Sequence, residues 1–286
     1  MAVHSGRFGL IDGMSTMRQW SINDAQNLAV GVGSNTAFGK GRRKGVEDWT
    51  GNFGFFGGVP PVMPGTTFNF QGYTAPTNDQ YGPGVLYTGI ALSGQMQLNW
   101  NWQGGELING TMDFGGHLVL EIEEAGAPPL DTTDPSLLTI AECKIQYSVD
   151  GVAWVDWESI AQCTLTVTNE LQTYVNSGTV IDGRLWTGRK AGNMDWNMSL
   201  TEHDDSRAKF SKGDQLWIRL YINETEFWEF AYGRVKDSTG LQVNRESGAI
   251  TQQTVNIEMD VVADADASLG HIILPDTSVW WPVPQS

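Results

Sequence analysis

The side chains that most often carry out catalysis or bind metals are few in this sequence and lie far apart. The four histidines, His4, His117, His203 and His271, are scattered, and no two of them have the His-x-x-x-His spacing of a metal site. Residues 31–34 read Gly-Val-Gly-Ser, which lacks the Gly-Lys-Ser/Thr that a phosphate-binding Walker loop requires. We therefore expect no enzymatic activity, no metal and no cofactor.

Charge and cysteine content exclude further classes of protein. The 286 residues carry a net charge of −16, which disfavours nucleic-acid binding through phosphates and adhesion to an anionic membrane. Cys143 and Cys163 are too few for a disulfide scaffold or a zinc site, and we expect reduced, buried thiols. No apolar stretch is long enough to span a membrane, and residues 1–7 lack a signal-peptide pattern, so we expect no export.

A nine-residue signature occurs twice. Residues 41–49 recur at 188–196, and Gly, Arg, Gly, Asp and Trp are identical at a constant offset of 147. We interpret the signature as structural rather than ligand-binding: each tryptophan would open a strand into the core, and each aspartate would bond a turn. The signature residues that we single out are Arg42, Asp48, Trp49, Arg189, Asp195 and Trp196.

The doubled signature predicts a duplicated domain, because its period is far longer than that of solenoid repeats. We place the first repeat at residues 5–125 and the second at 141–262. A connector rich in proline and aspartate, residues 126–140, joins them. Residues 263–286 form a C-terminal arm that is acidic and then apolar.

Alternating polar and apolar residues predict a mainly β protein. Residues 96–102 alternate in this way, as do 216–222 and 255–261, which is typical of strands with one buried face. Residues 156–173 hold the best helix candidate, but their threonines favour a strand. We expect at most one short helix in each repeat, together with long loops.

The segment from Thr50 to Gly105 has a single charged residue, Asp79, and many aromatic residues. One explanation is a core strand pair with a neutral loop. The explanation that we favour is cover by a neighbouring subunit, because interface cores are depleted in charge and enriched in aromatic residues. The assembly contacts that we predict are Phe55, Phe56, Phe68, Phe70 and Tyr81 in this segment, and Trp280 and Trp281 in the C-terminal arm.

Several segments together resemble the tail tube proteins of long-tailed bacteriophages. They are Trp20-Ser21-Ile22, a glycine-rich segment and a basic loop, then Asp48-Trp49-Thr50-Gly51 opening a strand. A hairpin that ends near Gly104-Gly105 and the following residues 109–114 extend the resemblance, which covers both repeats.

The resemblance implies two tandem β-sandwich or small-barrel domains whose inner strands join those of neighbouring domains. It implies a virion protein, assembled in the host cytoplasm, whose rings stack into a hollow tail tube. Two domains in each chain would make a trimeric ring with pseudo-sixfold symmetry. The partners implied are other copies of the chain, the tape measure protein and the terminator protein. DNA would pass through without specific binding, along an acidic wall that repels phosphates.

Two alternatives remain open at this point. The same fold could serve a different virion ring, such as a tail terminator or a distal tail protein. The 12 tryptophans could instead belong to a tandem carbohydrate-binding β-sandwich protein with exposed rings that stack on sugars. The placement of the tryptophans, in the core or on the surface, discriminates these possibilities.

Overall fold

A computed structural model gives the architecture of the chain. The described residues are 2–6, 8–12, 17–31, 41–74, 84–105, 107–125, 143–203, 210–224, 226–242, 252–260, 272–273 and 280–281. Strands account for most of them, so the prediction of a mainly β fold is confirmed. The described residues contain a single turn of 3₁₀ helix, Ser177–Thr179, and none of their helices is long and apolar enough to cross a membrane.

Seven strands are described in the first half of the chain. Buried residues alternate with more exposed ones along residues 67–73 and 95–101, as the hydrophobic pattern predicts. In chain order they are β1 (Ala2–Gly6), β2 (Phe8–Ile11), β3 (Met17–Gly31), β4 (Gly41–Phe56), β5 (Thr67–Tyr73), β6 (Gly84–Asn101) and β7 (Asn109–Ala125).

Nine strands form the second half. The segment that held the best helix candidate is largely a strand, because its threonines alternate with buried residues, Val167 among them, on a pleated surface. In chain order the strands are β8 (Ile145–Ser148), β9 (Val155–Asp156), β10 (Ile160–Tyr174), β11 (Val180–Ile181), β12 (Arg184–Trp186), β13 (Gly188–His203), β14 (Gln215–Tyr221), β15 (Phe227–Gln242) and β16 (Gln252–Met259).

The two halves have the same succession of strand pairs. In the first half the antiparallel order is β2–β5–β6–β7–β4–β3. In the second half it is β8–β14–β15–β16–β13–β10. Each of these six strands of the first half therefore has an equivalent in the second, and the path through the sheet is identical.

The agreement extends to single residues. Trp49 lies opposite Asp24 on β3, and Trp196 lies opposite Val167 on β10, so β3 and β10 correspond at an offset of 143. The register shifts of the two hairpins fall at equivalent positions as well. They lie between Met17 and Gln19 and between Gln26 and Leu28 in one half, and between Ile160 and Gln162 and between Asn169 and Leu171 in the other.

Aromatic side chains fill the core of the first half. Phe53 on β4 meets Phe68 on β5 edge to face, with ring centroids 6.1 Å apart, although β4 and β5 are not hydrogen-bonded neighbours. Trp20 on β3 meets Phe70 on β5 in the same way at 5.7 Å. Side chains from strands that do not pair thus meet across the interior, as in a β-sandwich.

The halves are joined into one continuous sheet. Strand β6 of the first half pairs with β10 of the second, which gives eight antiparallel strands in the order β3–β4–β7–β6–β10–β13–β16–β15. The division into separate domains at residues 125 and 141 stays a prediction, and residues 126–140 lie outside the described part of the chain.

Two short strands of the C-terminal arm return to this sheet. β17 (Ile272–Ile273) pairs with β15 at Glu229 and Phe230, and β18 (Trp280–Trp281) pairs with β17. The backbone of the arm therefore extends the sheet of the second half.

Candidate assembly interface

The longest strand pairing between the two halves is the junction of β6 with β10; a shorter parallel pairing joins β12 to β4 at Val46 and Glu47. Seven consecutive residues of each strand, 95–101 and 162–168, lie opposite one another. Leu98 faces Leu165 and Trp100 faces Cys163, and all four side chains are buried. Burial raises the pKa of the Cys163 thiol, which is therefore protonated and inert. On its inner face the junction is buried as completely as the core of either half.

Amides and hydroxyls line the other face of the junction. The Thr164 hydroxyl donates to Asn99 Oδ1 at 3.0 Å, and the Gln162 amide donates to Asn101 Oδ1 at 3.4 Å. Such cross-strand polar pairs fix the register, because a shift by one residue would turn them into the core.

A buried ion pair connects signature residues of the two halves. The guanidinium of Arg189 in the second half lies 2.7 Å from the carboxylate of Asp48 in the first half. It also donates to the carbonyl of Gly116. The Arg189 side chain is 5% exposed, whereas that of Asp48 is 31% exposed. A Cβ atom at Gly115 would lie 2.3 Å from Arg189 Nε, so a glycine is required beside the guanidinium.

A residue in the left-handed conformation carries a second link between the halves. Leu118 has φ of 65°, which is uncommon for a residue other than glycine. Its N–H donates to the carbonyl of Thr187 in the second half, and its carbonyl accepts from Trp49 Nε1, each at 3.0 Å. The ring nitrogen Nδ1 of His117 accepts from the N–H of Arg189 at 3.0 Å. His117 therefore has a structural role in the junction.

The uncharged loop after β4 packs against the second half of the same chain. Trp228 Nε1 donates to the carbonyl of Gly58 at 2.7 Å, and a Cβ atom at Gly58 would lie 2.1 Å from Ile222. Gly65 packs in the same way against Asn169. Cover by a neighbouring subunit is thus not needed to explain the missing charge here, because the neighbour is the other half of the chain.

The structure corrects three of the predicted assembly contacts. Phe55, Phe68 and Phe70 are buried inside the first half, where they pack against other aromatic rings, so none is available to another subunit. Phe56 is exposed at the end of β4. Tyr81 lies outside the described residues, and Trp280 and Trp281 are described only by their backbone pairing with β17.

The signature residues occupy different environments. Trp49 and Trp196 are both buried at equivalent positions in the core. Asp48 bonds Arg189 of the other half rather than the turn that the sequence predicted. Asp195, its equivalent, is exposed on β13. Arg42 lies on β4 opposite Val30, as Arg189 lies on β13 opposite Thr173.

One face of the eight-stranded sheet is polar. Its central band consists of amides and hydroxyls such as Asn52, Gln97, Asn99, Thr164, Thr166 and Ser199.

Charged groups on this face are mostly acidic. They include Asp113 and Asp195, and desolvation raises the pKa of Asp113. Lys236, on β15, is bound by Glu258, and this contact raises its pKa. The face is not evident as a unit in the sequence, although its residues are the polar members of the alternating pattern that predicts the strands.

Comparisons with known proteins leave the geometry as the main guide. No protein-family model matches the chain, and no curated protein is significantly similar to it. Within the described ranges, no three His, Cys, Asp or Glu side chains are grouped as metal ligands. What these residues do offer is an extended sheet with an internal junction between two equivalent halves.

Proposed function

We propose that the chain is a structural protein that assembles into closed rings by repeating its internal junction between copies. The observation that carries this proposal is the pairing of β6 with β10, which are non-equivalent strands of two equivalent halves. The equivalents of these strands are β15 and β3, and they lie at the two margins of the eight-stranded sheet. A head-to-tail contact of β15 with β3 of the next copy repeats the same geometry.

Three copies joined in this way make a pseudo-sixfold ring. Eight strands from each copy give a 24-stranded antiparallel barrel, in which the sheet margins are closed. A barrel of 24 tilted strands is about 45–50 Å across between opposite backbones. This bore is wide enough to hold a DNA duplex.

The polar face of the sheet suits the lining of a DNA conduit. The phosphate backbone binds proteins mainly through lysine and arginine side chains that displace counterions. The central band of this face is built of amides and hydroxyls, Asp113 and Asp195 add negative charge, and Lys236 is bound by Glu258. A duplex inside such a barrel would meet hydrogen-bonding groups without a cation array to retain it.

These features support a tail tube protein of a long-tailed bacteriophage, as the sequence resemblance implies. Stacked rings, the tape measure and terminator partners and the virion location belong to this proposal. The alternative of a carbohydrate-binding protein is disfavoured, because Trp49, Trp100, Trp196 and Trp228 are buried and offer no ring to a sugar. A single virion ring, such as a terminator or distal tail protein, would use the same junction without stacking.

Negative-stain electron microscopy of the purified chain, with size-exclusion chromatography, tests the proposal. Tubes support the tail tube function, single rings support the terminator or distal-protein alternative, and a chain that is monomeric at all concentrations refutes self-assembly.

A charge exchange tests the junction itself. The contact equivalent to Arg189–Asp48 at the closing junction joins Arg42 of one copy to Asp195 of another. Asp195→Arg and Arg42→Asp should each abolish assembly, and the double variant should recover it. Glu158→Arg, a reversal at an exposed position away from the sheet margins, is the control and should assemble normally. Normal assembly by both single variants would rule out this junction.

A further inference from the structure

The margin of the sheet at β3 is already occupied in the isolated chain. Residues 2–6 of β1 lie opposite residues 20–24 of β3. At the offset of 143, those β3 residues correspond to 163–167 of β10, which pair with β6 across the internal junction. β1 therefore occupies the side of β3 that corresponds to the side of β10 paired with β6.

The opposite margin of the sheet, at β15, is open over the length that corresponds to residues 95–101 of β6. β15 pairs with β14 through residues 227–234 and with β16 through residues 233–242. Over residues 236–242, the described part of the chain places no strand on the side where β14 ends. In the first half, the corresponding side of β6 is filled by β10.

The register identifies which residues would meet at the closing junction. Gln97 lies opposite Thr111 of β7, and Thr239 lies opposite the equivalent Thr254 of β16. Because Gln97 faces Thr166, the equivalent of Asn23, Thr239 of one copy would face Asn23 of the next. These two positions define the register of the contact between copies.

An unpaired polar atom lies at this position. The side-chain oxygen of Asn23 is buried and accepts no hydrogen bond from the described part of the chain. A buried acceptor without a donor destabilises the folded chain. Thr239 is a threonine, and a threonine hydroxyl is a donor of the kind that this oxygen lacks.

We infer that β1 is a placeholder strand that keeps the isolated chain from assembling until residues 236–242 of a second copy replace it on β3. This role rests on the proposed function. In this replacement β3 loses its pairing with the five residues of β1. It gains a seven-residue pairing like the one between β10 and β6. An exposed margin would pair with other chains prematurely, and β1 prevents this in the monomer.

A reversible crosslink tests the role of β1. Ser5 lies opposite Ser21, so the variant Ser5→Cys/Ser21→Cys can form a disulfide that holds β1 on β3. The native Cys143 and Cys163 are buried and do not compete. The oxidised variant should form no tubes, and the same sample should form them after reduction. Each single-cysteine variant is a control and should assemble in both conditions.

Two further variants complete the test. Deletion of residues 2–6 should lower the protein concentration needed for assembly. The second variant, Asn23→Cys/Thr239→Cys, leaves β1 unchanged. After it has assembled, oxidation should crosslink neighbouring copies into covalent trimers.

Tubes formed by the oxidised Ser5→Cys/Ser21→Cys variant would refute the placeholder role while leaving the tube function intact. Failure of Asn23→Cys/Thr239→Cys to crosslink within tubes would refute the register. A wild-type chain that never assembles would refute the proposed function, and the role of β1 with it.

Discussion

Removal of the Asp48 carboxylate should destabilise the chain more than removal of its partner Arg189. The guanidinium is 5% exposed and the carboxylate 31%, so Asp48→Ala leaves the more deeply buried charge without a counterion. Breaking a fully buried pair costs about 3–5 kcal/mol, and the partial exposure of Asp48 reduces this to about 2–3 kcal/mol. Arg189→Met removes the buried charge itself and leaves a carboxylate that water reaches, at a cost of about 1–2 kcal/mol.

Urea unfolding of the dilute, unassembled chain, followed by tryptophan fluorescence, measures both costs. The half-exposed pair Lys144–Asp156 is the matched control, and Asp156→Ala should cost at most about 1 kcal/mol. In the Arg189→Met background, Asp48→Ala should lose most of its effect, because the two residues act through one contact. If Arg189→Met proves more costly than Asp48→Ala, the buried charge does not determine the energy of this contact.

Three other predictions use the same chain. Hydrogen bonds from the backbone amides of Ala153 and Val152 lower the pKa of Asp150 to about 2. Asp150→Asn should therefore lower the thermal midpoint near neutral pH, and the difference from wild type should shrink as the pH falls from about 4 to 2. Desolvation raises the pKa of Asp113, so its charge opposes folding; Asp113→Asn should raise the thermal midpoint near neutral pH and have no effect below about pH 3. Deletion of residues 276–286 removes β18 and should yield rings in place of long tubes in electron micrographs, whereas tubes of normal length would exclude a role for this segment in stacking.

The sequence predicted the local structure of this chain well because the relevant signals are local. Alternation of apolar and polar residues depends on the pleat of a single strand, and the doubled signature depends on identity at one offset. Both signals reappear in the strands and in the register, where Trp49 and Trp196 have equivalent partners.

The neighbours of each strand could not be predicted from the same signals. A segment rich in aromatic residues and poor in charge is typical of a core and of an interface alike, because both exclude water. Phe55, Phe68 and Phe70 were therefore assigned to the wrong surroundings. The ion pair of Arg189 with Asp48 joins residues 141 positions apart, and it forms only because strands of the two halves pair, β6 with β10 and β12 with β4.

The internal junction and the proposed closing junction require different properties, and on this proposal equivalent residues diverge for that reason. The internal junction forms when the chain folds, because covalent linkage keeps its two sides at high effective concentration. It can therefore bury Arg189 and an apolar strand pair permanently. The proposed closing junction must stay open in the free chain, and its aspartate, Asp195, is accordingly exposed while β1 covers the β3 margin. Dilution of assembled tubes should therefore separate copies from one another while β6 remains paired with β10.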